Sequence, residues 1–98
     1  MSAKKQSIFS ALSDPTRRQI LKVLRSGSMP AGEIADTFHL SKPTLSHHFR
    51  ILKAAGLVRS ERRGTSIVYT LQSSVLEDLA AELIELASPQ ARSKGVRS

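Results

Sequence analysis

The 98-residue chain has no cysteine and no tryptophan, only one tyrosine and three phenylalanines, and eight acidic residues against fifteen Lys and Arg. Without cysteine there is no disulfide framework, no thiolate metal site and no redox-active thiol, and three histidines alone argue against a zinc site. No apolar run approaches the ~18 residues a membrane span needs. The opening residues Met1 to Gln6 lack the apolar core of a secretory signal. A cytoplasmic chain with no membrane insertion is expected. There is no paired acid and base, no nucleophile with a base at a recognisable spacing and no glycine-rich phosphate loop, so neither an enzyme nor a cofactor is predicted. The length allows one domain, and a monomer of this size buries only roughly two thirds of the surface its unfolded chain exposes. Association with a second subunit is therefore expected to supplement its core.

The charge that is present is segregated. Between Ser41 and Tyr69, Lys42, Arg50, Lys53, Arg59, Arg62 and Arg63 face only Glu61; between Gln72 and Ser88, Glu77, Asp78, Glu82 and Glu85 face no cation. A basic middle and an acidic end want different partners, and a polyanion suits the first. Three of these four carboxylates are read as a solvated helix face, the first two also favoured near the helix N-terminus by its dipole, with a cation bound across a dimer as the alternative. The sequence divides into a domain over residues 1–88 and a basic tail over 89–98, whose low apolar content predicts disorder.

Ile8, Phe9 and Leu12 recur at helical spacing and predict a first helix from about Lys5 to Ser13. Asp14 followed by Pro15 is a helix start: the carboxylate accepts an orphan backbone N–H, and proline has none to leave unpaired. Ile20, Leu21, Val23 and Leu24 give this second helix its buried face, with Gly27 ending it. Pro30 opens a short third helix carrying Ile34, Ala35 and Phe38. After a turn at His39 and Leu40, Ser41 caps a fourth helix that runs to about Ala55 and is stopped by Gly56. Two strands follow, Leu57 to Glu61 and Ser66 to Leu71, joined by a turn of Arg62, Arg63, Gly64 and Thr65. The second strand is read as alternating with Ile67 in, Val68 out and Tyr69 in. Ser73 or Ser74 then caps a last helix with a wide apolar stripe of Val75, Leu76, Leu79, Ala80, Leu83, Ile84, Leu86 and Ala87.

The third and fourth helices with their short turn form a helix-turn-helix pattern. Leu45, Phe49 and Leu52 lock one face of the fourth helix to the domain, leaving Ser41, Lys42, Pro43, Thr44, Ser46, His47 and Arg50 at its open face or N-terminal end. Short hydrogen-bonding groups on the first turns of a helix are what the major groove of DNA requires. The basic hairpin adds Arg62, Arg63 and Thr65 as a wing able to reach phosphates or a narrow minor groove. The predicted class is mainly α with a small β-hairpin, a winged helix-turn-helix of about five helices and a two-stranded wing. His47 and His48, about 100° apart on a helix, cannot chelate one ion together. His47 is expected to face DNA, His48 to pack beside Leu45 and Leu52, and His39 to be plain surface. One of Arg17 and Arg18 is expected to pair with a nearby carboxylate such as Asp14 or with a group of a second subunit, with contact to phosphate as the other role open to them. The apolar stripe of the last helix exceeds what one hairpin can cover, so Ile8, Phe9, Leu12, Leu76, Leu79, Leu83 and Ile84 are the candidate dimer contacts. A winged helix that binds protein and not DNA is the alternative reading.

Ala11 to Leu21 (ALSDPTRRQIL), Gly32 to Ala35 (GEIA), Leu40 to Val58 (LSKPTLSHHFRILKAAGLV) and Arg63-Gly64-Thr65 to Tyr69 resemble the ArsR (SmtB-type) family of bacterial winged-helix repressors. The likeness spans about residues 5 to 87. It implies a homodimer joined through its first and last helices, binding a palindromic double-stranded operator at its own promoter. On this resemblance, groove reading falls to Lys42, Pro43, Thr44, Ser46 and His47, and the wing contacts to Arg62, Arg63 and Thr65. Metal sensing is not carried over. At the start of the third helix, where the family places thiolates, stand Pro30, Ala31 and Gly32, and the last helix has carboxylates but no histidine. The chain is most similar to the short cysteine-free autorepressors of the sporulation-delay type, whose release implies a sequestering protein or a small-molecule inducer.

Overall fold

The computed structural model describes residues 3–89, with side chains from Lys5 onward. The expected disordered tail, apart from Pro89, lies outside the described residues. Five helices and three short strands follow in the order α1 (Ala3–Leu12), α2 (Pro15–Leu24), β1 (Met29–Pro30), α3 (Ala31–Phe38), α4 (Lys42–Ala54), β2 (Val58–Arg63), β3 (Ser66–Leu71) and α5 (Ser73–Ala87). Among the described residues no helix is long and apolar enough to cross a membrane.

Two of the three helix caps read from the sequence are made as expected. The Asp14 carboxylate accepts from the Arg17 backbone N–H at 3.0 Å, and Pro15 occupies the first turn of α2. Ser41 Oγ accepts from the Thr44 N–H at 3.3 Å at the start of α4. The third does not hold. Gln72 is the residue before α5 and no side chain caps it, because Ser73 and Ser74 already lie inside the helix. The helix ends are equally explicit. Gly56 has φ +76°, and Leu57 N–H bonds back to Leu52 C=O, a reversal that leaves both leucines in the core. His39 makes the same left-handed reversal at φ 54°, with Leu40 N–H bonding to Ala35 C=O. That turn sets the angle between α3 and α4. α2 ends at Leu24, earlier than Gly27 suggested.

The core gathers Ile8 and Ala11 of α1, Ile20, Leu21 and Leu24 of α2, Ile34 of α3, Leu45, Phe49 and Leu52 of α4, then Leu57, Val58 and Leu79. At roughly 1.5–3 kcal/mol per fully buried large apolar side chain, this cluster is what orients the helices.

The sheet departs from the expected hairpin in three ways. It has three antiparallel strands in the order β1-β3-β2, since Met29 and Pro30 pair with Tyr69 and Val68. A two-residue strand carries no periodicity to read, and its proline is tolerated because β1 lies at the edge. Arg62 and Arg63 belong to β2, opposite Ile67 and Ser66, so the turn is Gly64-Thr65 alone. Gly64 has φ +62° and Thr65 does not share the positive sign, the pattern of a type II′ turn. Val68 is buried where solvent was expected. β1 makes β3 the central strand, and Pro30 and Glu61 flank Val68 on its own face. Tyr69 does face the core, and Ile67 is half-buried.

Candidate nucleic-acid interface

α4 is divided sharply by burial. Leu45, His48, Phe49 and Leu52 are buried, while Lys42, Pro43, Thr44, Ser46, His47 and Arg50 are all exposed. The buried set holds the helix against α1, α3 and the wing, so the exposed set is carried on a rigid support. Ser41 is not available to read bases. Its hydroxyl donates to Thr44 Oγ1 at 3.0 Å while its oxygen caps the helix, and Thr44 keeps its own hydroxyl proton for an outside acceptor. Pro43 has no N–H, the Thr44 N–H is capped and the Leu45 N–H bonds to Ser41 C=O, which leaves the Lys42 N–H open in the first turn, at the helix end whose polarity favours an anion.

The wing meets this helix across a cleft of about 460 Å³ lined by Lys42, Leu45, Ser46, Thr65, Ser66, Ile67 and Tyr69, with Ala31 and Gly32 at its end. Ser46 also borders a neighbouring hollow of about 280 Å³ with Phe49, Arg50, Lys53 and Tyr69. Thus Lys42, Ser46 and Thr65 come together in one cleft, with Arg50 one turn further along. The sequence reading did not include Lys53 at this site. Its i, i+3 relation to Arg50 and i, i+7 relation to Ser46 was the available signal.

Arg62 and Arg63 are exposed but are not a joint turn cluster. Facing residues in paired strands share a side, so Arg62 lies on the side of Ile67 and Tyr69, toward α4, and Arg63 on the side of Ser66 and Val68. Arg63 Nη2 also pairs with Glu61 Oε1 at 3.3 Å. Among the described residues no carboxylate lies within ion-pair distance of Lys42, Arg50 or Arg62, which leaves their charge directed at solvent.

The histidines separate as expected. His47 is exposed and His48 buried, with ring centroids 5.9 Å apart and planes 53° inclined. His48 Nδ1 stands 3.2 Å from Arg17 Nη1. Burial pushes the His48 pKa down, and the nearby Arg17 cation acts in the same direction. Arg17 corrects the expected carboxylate pairing. It is itself buried and gives its side-chain donors to the carbonyls of Ser10 and Ala11 and to His48, while Asp14 is held through the Arg17 backbone. Arg18 donates to Leu12 C=O at 2.7 Å. Among the described residues no group of three or more His, Asp or Glu is placed to hold a metal ion.

The candidate dimer contacts fall into two groups. Phe9, Leu83 and Ile84 are exposed, Ile84 by 68%, whereas Ile8 and Leu79 are already buried and Leu12 and Leu76 half-buried. Leu86, at 79% exposure, belongs with the first group and was not among the expected contacts. Glu82 of the same helix pairs with Lys5 of α1.

Three comparisons bear on this arrangement. The sequence profile of the arsR family of bacterial regulatory proteins matches residues 14–60, from the cap of α2 through α4 into β2. The transcriptional repressor SdpR of Bacillus subtilis (strain 168) is 50% identical over 72 residues, which is 74% of this chain and 80% of SdpR. The arsenical resistance operon repressor of Staphylococcus aureus is 35% identical over 101 residues, covering 100% of this chain and 97% of its own. Among solved structures, an ArsR-like transcriptional regulator from Rhodococcus sp. RHA1 superposes with a TM-score of 0.76 at 33% identity, over 87% of this chain and 80% of that one.

Proposed function

This chain belongs to the ArsR family of bacterial regulatory proteins, and from that membership and the geometry of α4 we infer how it acts as a DNA-binding transcriptional repressor. The N-terminal half of α4 enters the major groove. Lys42, Pro43, Thr44, Ser46 and His47 face base edges, and Arg50 reaches a flanking phosphate. The Gly64-Thr65 turn lies along the adjacent minor groove, where Arg62 and Arg63, on opposite faces of the wing, can each address one of the two phosphate walls. A single observation carries this reading: Lys42, Thr44, Ser46 and His47, on the first turns of α4, are all exposed on the side that the wing faces across one cleft.

The exposed apolar set of Phe9, Leu83, Ile84 and Leu86 supports a homodimer built on α1 and α5, which presents two copies of α4 to a palindromic operator. We place the protein in the cytoplasm with the DNA it controls, with autorepression as its regulatory role. Release would then depend on its own concentration, a sequestering protein or a small molecule, in keeping with the absence of thiolate ligands from the sequence. The relatives are transcriptional regulators, and no enzymatic role is proposed.

The test is fluorescence anisotropy of the purified protein on its own upstream DNA at several salt concentrations, with and without Zn²⁺ and a chelator. Tight binding that depends on the palindrome, falls steeply with salt and ignores metal is the expected result. Weak binding indifferent to sequence would move the assignment to a protein-binding winged helix.

A further inference from the structure

A guanidinium withdrawn from water is costly unless its donors are matched, and Arg17, only 8% exposed, has them matched in an unusual way. Nε donates to Ala11 C=O at 2.9 Å and Nη2 to Ser10 C=O at 3.1 Å, both in the last turn of α1. Ser10 C=O also accepts from the N–H and the hydroxyl of Ser13, whereas Ala11 C=O is one of the helix-end carbonyls left without an intrahelical donor, and a cation at a helix C-terminus also meets the negative end of its dipole. The remaining contact, Nη1 to His48 Nδ1, crosses to α4. Arginine has no acceptor, so His48 must accept there, which requires a neutral imidazole with its proton on Nε2. One side chain of α2 therefore ties the end of α1 to the middle of the DNA-reading helix. The tie has a single weak point. A proton on Nδ1 would turn an acceptor into a second buried cation against the first.

We propose that Arg17 is a positioning residue for DNA binding, holding α4 in register with α1 through His48, and that protonation of His48 undoes this hold and weakens operator binding. The proposal rests on α4 being the DNA-reading helix. The charged groups that act on His48 are Asp14 at the cap of α2, Arg17 within α2 and its neighbour His47 on α4; α1 presents the Ser10 and Ala11 carbonyls. Asp14 favours the protonated ring, whereas burial, Arg17 and His47 oppose it, and the balance lies with the neutral form. Because α1 also carries Phe9 and Lys5, the same tie links the DNA-reading helix to the helix proposed to meet the second subunit.

The experiment compares the full chain with its Arg17→Lys and His48→Asn variants on labelled upstream DNA and on an unrelated duplex, by anisotropy at constant salt. Asn places an oxygen near the position of Nδ1 and does not titrate, so His48→Asn keeps the acceptor and removes the switch. Between about pH 8 and about pH 5.5, where histidines change charge, operator affinity of the natural protein should fall about tenfold more than that of His48→Asn. His39 and His47 are common to both proteins and cancel in the comparison. Arg17→Lys, whose ammonium cannot serve three acceptors in fixed fork geometry, should lose about tenfold in the ratio of operator to unrelated binding while keeping its helical circular dichroism. Parallel pH profiles for the natural protein and His48→Asn would overturn the proposal even if Arg17→Lys fails to fold. Equal binding of upstream and unrelated DNA by the natural protein at every pH is a separate outcome; it would remove the DNA reading itself, and the positioning role with it.

Discussion

The ring of Tyr69, on the central strand of the wing, lies face to face on Phe49 of α4, with centroids 3.6 Å apart and planes 14° from parallel. Phe49 is 1% exposed and Tyr69 half-buried, so the stack joins the floor of the cleft to the core beneath it. Wing and helix are thereby one rigid unit. Phe49→Ala should cost about 3–5 kcal/mol, the usual range for emptying a buried aromatic site. For a domain whose whole stability is about 5–15 kcal/mol, that is a large share of the reserve. Urea unfolding followed by circular dichroism measures it, and a midpoint close to that of the natural protein would mean that the stack is not supporting the core.

The division of the interface into wing and helix predicts two kinds of binding defect. Replacing Arg62 and Arg63 by Ala should weaken binding to all sequences and lower the salt slope by about one for each phosphate that is no longer neutralised. Arg62 should contribute more, because Arg63 is partly engaged by Glu61. Ser46→Ala and His47→Ala should instead change which bases are preferred, with little effect on the slope. Anisotropy titrations on a panel of single-base operator variants separate the two, and a uniform loss from His47→Ala would count against its role in reading bases.

The residues that announce themselves in the sequence are those whose role is local. Asp14 and Ser41 cap the helices they precede, Gly56 reverses the chain, and Leu45, Phe49 and Leu52 fix which side of α4 faces out. Each is set by a few neighbouring positions, so spacing alone reveals it. What spacing could not reveal depends on distant partners. β1 exists only because Met29 and Pro30 find Tyr69 and Val68 about forty residues later, and that pairing is also what buries Val68. Placing Arg62 and Arg63 in the strand needed the two-residue turn, which Gly64 permits but does not dictate. Arg17 was misread for the same reason: its acceptors are backbone carbonyls and a histidine on another helix, invisible to any rule about charge pairs.

The exposed apolar end of α5 predicts a subunit contact. Leu83 and Ile84 are 48% and 68% exposed, one turn beyond the buried Leu79 on which the helix is anchored. Leu83→Glu places a charge on the proposed interface but outside the monomer core, so it should split the dimer and leave the helical content intact. Multi-angle light scattering after gel filtration reads the mass directly. A dimer that survives Leu83→Glu and Ile84→Glu together would exclude this face.

Stability should fall with pH in two separate steps, because two groups have lowered pKa values for different reasons. His48 is pushed below its ordinary value of 6.5 mainly by burial. As pH drops through 6.5 the unfolded chain takes up a proton that the folded chain resists, so stability begins to decline there and stops declining below the folded pKa. Asp14 is held below its ordinary 3.8 mainly by the Arg17 backbone N–H it accepts. Its contribution is complete above 3.8 and is lost only as pH falls through the lowered value. Urea midpoints measured across the acid range should show both steps in the natural protein. His48→Asn should flatten the first and keep the second. Asp14→Asn should remove the second while retaining most of a cap that, replaced by Ala, would cost about 1 kcal/mol. A midpoint that stays level from neutral pH down through the histidine range would mean that the contact between Arg17 and His48 tolerates the proton, and that His48 is held in the folded protein by its packing alone.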